Sequence, residues 1–100
     1  MSLPTLTDRL RGIVANGSTD LKATVKFATN EGTVFIDGNQ TPPTVTNDDK
    51  DADCVLEITM ENALKMLDGD LNPMMAYMMG QLKIKGDMGL AMKIGQAFES

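Results

Sequence analysis

Leu3, Leu6, Leu10, Ile13 and Val14 recur at the spacing of one helix face, with Ser2 or Thr5 available as a cap. They predict a helix over Leu3 to Ala15, followed by a turn at Asn16-Gly17-Ser18. The period then changes from helical to alternating. Leu21, Ala23, Val25 and Phe27 alternate with Lys22, Thr24 and Lys26, the pattern of a half-buried strand. Asn30-Glu31-Gly32 is a hairpin signal, and Val34 and Ile36 continue the alternation up to Asp37-Gly38-Asn39. Pro42-Pro43 leaves room for only a short edge strand at Thr44-Val45-Thr46. An acidic loop spans Asn47 to Asp53. Cys54, Leu56, Ile58 and Met60 then alternate as the next strand.

The second half returns to helical spacing with Ala63, Leu64, Met66 and Leu67, stopped by Gly69. Asn72, Pro73 and Gly80 bracket a two-turn helix, with asparagine as cap, proline at the first position and glycine just past the end. Leu82 and Ile84 alternate with Lys83 and Lys85 as the last strand, closed by Gly86. Asp87 caps a final helix with Met88, Ala91, Met92, Gly95 and Phe98 on one stripe, widened by Leu90 and Ile94. Hairpin strands first, then a strand and a last strand separated by two helices, give an α+β class. Each strand has one polar side, so the sheet should have one solvated face and one helix-covered face.

Composition narrows the possibilities. Apolar residues are 42% of the 100 and charged residues 23%, which is not a disordered composition. One hundred residues fit a single domain covering 1–100. The net charge of −5 argues against nucleic acid as a partner, since phosphate binding needs a basic face. No apolar run approaches the ~20 residues of a membrane span, and no secretory leader pattern opens the chain. With one cysteine and no leader, a cytoplasmic location is expected.

The candidate chemistry is sparse. There is no histidine, which removes the commonest general base and zinc ligand. Asp49-Lys50-Asp51-Ala52-Asp53 opens like a calcium loop, but Cys54 stands where the turn glycine is needed and Met60 where the bidentate glutamate is needed. A solvated acidic turn is the simpler reading. Cys54 shares the parity of Leu56 and Ile58, so a buried, inert thiol is expected, with Asp51 and Asp53 raising its pKa. Gly80, Gly86 and Gly89 lack the spacing of a phosphate loop. Neither a catalytic site, a metal nor a cofactor is expected.

Nine methionines against four aromatics are the oddity of this composition. Met74, Met75, Met78 and Met79 surround the two-turn helix on more than one face, which a helix buried on one side does not need. Either protein packs both faces, or one face lines an apolar cavity.

The run Asp68-Gly69-Asp70-Leu71-Asn72-Pro73-Met74-Met75-Ala76-Tyr77-Met78-Met79-Gly80-Gln81-Leu82-Lys83-Ile84-Lys85-Gly86-Asp87-Met88-Gly89-Leu90-Ala91-Met92-Lys93 resembles the sterol carrier protein 2 (SCP2) domain family, and Asp53 to Ile58 resembles the strand leading into it. Upstream the likeness is one of length and element order. The resemblance implies a five-stranded, largely antiparallel sheet with helices on one face and an apolar tunnel between the sheet and the C-terminal helices. It implies a non-enzymatic carrier of fatty acyl chains, sterols or isoprenoid-type lipids, with transient membrane-surface contact. A stand-alone chain of this length looks most like the minimal bacterial form. The final Phe98-Glu99-Ser100 is not a peroxisomal signal. The residues this reading assigns to lipid are Met74, Met75, Met78, Met79, Met88, Met92 and Phe98, facing Leu56, Ile58, Leu82 and Ile84. Because an empty apolar cavity is costly, Met75, Met78, Met79, Met88 and Met92 are expected to fill part of it in the free protein. The alternative is an accessory module that docks to a lipid-metabolising enzyme or a quinone-biosynthesis complex and holds lipid weakly.

Overall fold

The structure, a computed structural model, describes residues 2–15, 22–40 and 43–99, with side chains through residue 95. The turn expected at Asn16-Gly17-Ser18 and the strand position Leu21 lie outside the described residues. The elements run α1 (Leu3–Ala15), β1 (Thr24–Thr29), β2 (Gly32–Asp37), β3 (Thr44–Thr46), β4 (Cys54–Glu57), α2 (Met60–Leu67), α3 (Pro73–Met78), β5 (Lys83–Gly86) and α4 (Met88–Glu99).

The five strands form one sheet in the order β3-β2-β1-β4-β5. β1 to β3 make an antiparallel meander, and β4 pairs antiparallel with β5. β1 and β4 pair in parallel, with Val25 opposite Cys54 and Phe27 opposite Leu56. The sheet is therefore mixed: a parallel pair cannot be joined by a hairpin, and here the chain must cross from the β3 edge to the far side of β1.

That crossing is made by the acidic loop. Asp49 pairs with Lys26 of β1 at 3.0 Å, and the Lys50 ammonium stands 5.6 Å from the Phe35 ring centre on β2. Phe35, on the face opposite Val34 and Ile36, is buried. The loop thus covers part of a sheet face that the alternation assigned to solvent. Asp53 ends the loop by accepting from the Thr24 amide and hydroxyl at 3.1 and 3.2 Å. Asp49 and Asp53 engage separate partners, and residues 47–51 and 53 are exposed, so the acids form a solvated turn whose carboxylates do not converge.

The other face carries the core. Val25, Phe27, Val34, Ile36, Val45, Cys54 and Leu56 point at Leu6, Leu10 and Val14 of α1, Met60, Ala63 and Met66 of α2, and Leu90, Ala91 and Ile94 of α4. Thr7 is buried within this layer. Its hydroxyl donates to the Leu3 carbonyl at 2.8 Å and accepts from Asn47 at 2.9 Å. The same Asn47 amide reaches the Thr33 carbonyl at 3.0 Å, tying α1 to the sheet.

One boundary differs from the alternation. β4 ends at Glu57, and Met60 opens α2 instead of extending the strand. Thr59 accepts from the Asn62 amide as the helix cap, and Asn30 accepts from the Met60 amide at 2.8 Å. A cap and a turn side chain together outweigh the local period. Ile58 and Met60 are both buried, so parity and helix stripe coincide at that point.

Candidate functional site

α3 is held between two glycine-terminated connections. α2 ends with the Gly69 amide bonded to the Met66 carbonyl and the Asp70 amide to the Lys65 carbonyl. Asn72 caps α3 by accepting from the Met74 and Met75 amides, with Pro73 in the first turn. At its far end Gly80 has φ 77°, the left-handed region that glycine adopts without strain. The Gly80 amide donates to Tyr77, and the Gln81 amide to Ala76 at 2.8 Å. Ala76 is fully buried, so α3 rests on its smallest side chain and lifts the others outward.

Beneath α3 lies a pocket of about 300 Å³. Its floor is Leu56 of β4 and Ile84 of β5, which are register partners, with Leu82 just ahead of β5. Strand alternation turns Lys83 and Lys85, the neighbours of Ile84, toward the opposite face. α3 contributes Pro73, Met74 and Tyr77, and α2 contributes Met66. The remaining wall is α4, through Met88, Ala91, Met92, Ile94 and Gly95. Among the described residues the lining contains no charged side chain, and the Tyr77 hydroxyl is its one side-chain polar group. Pro73 lies close to Gly95 of α4; a Cβ there would stand 3.7 Å from the Pro73 ring, an ordinary van der Waals contact. Met74, Tyr77, Met88 and Met92 are 42–56% exposed and mark the mouth.

Asp87 starts α4, accepting from the Gly89 and Leu90 amides. Its charge also bears on Cys54, which is free and wholly buried. Burial, and then the Asp87 carboxylate, push that thiol above its ordinary 9.0. Asp87, brought near through the fold, is the acid that acts on the thiol, where Asp51 and Asp53 were expected. Cys54 does not line the pocket.

Of the residues expected to meet lipid, the structure brings Leu56, Met74, Leu82, Ile84, Met88 and Met92 together. Ile58 is buried in the core beside the pocket and is not part of its lining. Met75, Met78 and Met79 are exposed, at 53%, 75% and 63%, and lie outside the lining. The expected filling of the cavity by these three is therefore corrected: with Ala76 turned into the core, Met75 and Met78 lie on other sides of α3, and Met79 stands at the cap beyond its last turn. The Phe98 side chain lies outside the described residues. Six lining residues were not singled out: Met66, Pro73, Tyr77, Ala91, Ile94 and Gly95. Ala91, Ile94 and Gly95 sit on the apolar stripe of α4, and Tyr77 lies three residues beyond Met74 on one helix face, so spacing could have found these four.

A match to the SCP-2 sterol transfer family covers residues 5–99. The chain belongs to that family. Sterol carrier protein 2 of Oryctolagus cuniculus is 48% identical over 48 residues, 48% of this chain and 9% of that protein. Hydroxysteroid dehydrogenase-like protein 2 of Danio rerio is 47% identical over 57 residues, 57% of this chain and 12% of that one. The matched part is thus about a tenth of the length of these relatives. Palmitated SCP2L2 from Aedes aegypti superposes with a TM-score of 0.76 at 19% identity, covering 100% of this chain and 96% of that one, a likeness of fold. Among the described residues no helix is long and apolar enough to cross a membrane.

Proposed function

We propose that this SCP2 domain holds the alkyl part of a lipid between the β4–β5 floor and helices α3 and α4, as a carrier and not as a catalyst. The observation that carries this reading is a pocket of about 300 Å³ whose twelve lining residues, among those described, include no charge. Such a volume is at the low end of ligand sites. Burial of a chain there is worth ~0.8 kcal/mol per methylene before the costs of ordering it. Four of the lining residues are methionines, whose flexible thioethers adapt to several chain shapes. The likeness to a palmitated relative makes palmitate the first probe. The free, buried Cys54 fits a reducing cytoplasm.

The test is a thermal melt of delipidated protein with palmitate, palmitoyl-CoA, a sterol and a quinone. A ligand at 100 times its Kd adds ~2.7 kcal/mol, which raises the Tm of a domain this size by roughly 10 °C or more. No shift with any of them, in folded lipid-free protein, moves the reading to an accessory module that docks to a lipid-metabolising enzyme.

A further inference from the structure

The eight methionines among the described residues fall into three groups by position. Met66, Met74, Met88 and Met92 line the pocket. Met75, Met78 and Met79 are as exposed as the pocket-mouth methionines but stand outside the lining. Met60 is as deeply buried as Met66 and does not touch the pocket. A third of the described lining is therefore thioether, and no thiol shares it: the one cysteine lies outside, and its burial keeps it a thiol. A thioether sulfur is oxidised by two electrons to the sulfoxide, and a peroxide is an oxidant that performs this step.

Resting on the reading that the pocket holds a lipid chain, we propose that its methionines reduce a lipid hydroperoxide bound there to the lipid alcohol. The sulfur lone pair attacks the terminal oxygen of the C–O–O–H group and the O–O bond breaks. The hydroperoxide proton passes to the departing alkoxide, giving the alcohol, and the sulfur keeps the oxygen as a sulfoxide. One hydroperoxide is reduced and one thioether oxidised, so no further reductant enters the step. Each pocket methionine reacts once. The sulfoxide is polar, so each such oxidation also makes the pocket a poorer host for an apolar chain.

The pocket geometry makes this separable from ordinary surface oxidation. Water-borne hydrogen peroxide samples sulfurs by exposure, and Met78, at 75%, should lead. A hydroperoxide delivered on a bound chain should sample them by position. The experiment treats delipidated protein with linoleic acid hydroperoxide or with hydrogen peroxide, maps sulfoxides by peptide mass spectrometry and quantifies the hydroxy acid. Expected with the lipid hydroperoxide is oxygen first on Met74, Met88 and Met92, and hydroxy acid formed in step with it. Met60 should stay unoxidised. Expected with hydrogen peroxide is an order by exposure, with Met78 and Met79 first, Met74, Met75 and Met92 together behind them, and Met88 later. The triple variant Met75→Leu, Met78→Leu, Met79→Leu should keep the full yield of hydroxy acid. A palmitate melt on the same protein separates the two readings. A palmitate shift without hydroxy acid, or with sulfoxides ordered by exposure, overturns hydroperoxide reduction and leaves chain binding standing. Absence of a shift with palmitate, palmitoyl-CoA, a sterol and a quinone alike overturns both.

Discussion

The carbonyl oxygen of Asp53 accepts the Asp87 amide at 3.0 Å, and Gly86 lies against that same carbonyl. The residue just ahead of β4 is thus bonded directly to the residue that caps α4. Gly86 has φ 93°, and a Cβ at this position would collide with the Asp53 backbone, which has no flexible end to move aside. Gly86→Ala should therefore cost roughly 3 kcal/mol, combining left-handed strain with a backbone clash. That corresponds to a Tm drop on the order of 10 °C or more. A drop of only a degree or two would show that β5 can slide away from β4. Because Asp87 aligns the pocket wall, the variant's palmitate shift should shrink as well.

The pocket itself can be filled from α4. Ala91 is almost wholly buried and faces the cavity. Ala91→Leu adds apolar atoms to empty space, so the ligand-free protein should gain ~0.5–2 kcal/mol. The palmitate-induced shift should fall to less than half of the parent's. A more stable variant with a full palmitate shift would place the lipid elsewhere.

Much of this fold is legible in the one-dimensional pattern because each element is bounded by a residue with a local reason. Asn72, Pro73 and Gly80 bracket α3 within one or two residues, and Gly86-Asp87 separates β5 from α4. The short edge strand Thr44–Thr46 follows from the prolines ahead of it. The parallel β1–β4 pairing is not local: it depends on which side of the meander the chain returns to, and that is decided by long-range contacts such as Lys26 with Asp49. Phe35 was hidden for the same reason, since alternation reports the side of the sheet but not what covers it. In the site, spacing places Met88 and Met92 on one stripe of α4. It does not show that Ala76 is the buried side of α3, because four neighbouring methionines mask a small residue as an anchor. Met66 was legible as core, and its second role depends on the gap left between α2 and α4.

The loop that crosses the sheet offers a test of its own. Asp53 satisfies both the amide and the hydroxyl of Thr24, and its own amide donates back to that hydroxyl at 2.9 Å. Asp53→Ala should cost about 1 kcal/mol, a Tm change of roughly 4–8 °C. Since Asp49 is committed to Lys26, millimolar calcium should leave the Tm of parent and variant unchanged. A calcium-dependent rise in the parent alone would mean that the acids converge on a cation in solution.

Cys54 makes stability depend on pH in one direction. Burial and the Asp87 charge raise the folded thiol's pKa above 9.0, while the unfolded chain titrates near that ordinary value. Below the unfolded pKa both states keep the proton and no pH-dependent difference exists. As pH rises past it, the unfolded chain releases the proton and the folded one does not. Ionisation then favours unfolding by about 1.4 kcal/mol per pH unit, until the folded thiol also titrates. The stabilising contribution is thus complete below pH 9 and is lost above it. Urea midpoints between pH 8 and pH 10.5 should fall more steeply for the parent than for Cys54→Ala, which shares every other titrating group. Over the same range the native thiol should react with an aromatic disulfide reagent far more slowly than the urea-unfolded chain, because only the thiolate attacks and Cys54 has no exposed surface. Parallel pH profiles for parent and variant, or rapid native labelling at neutral pH, would place the thiol at the surface and away from Asp87.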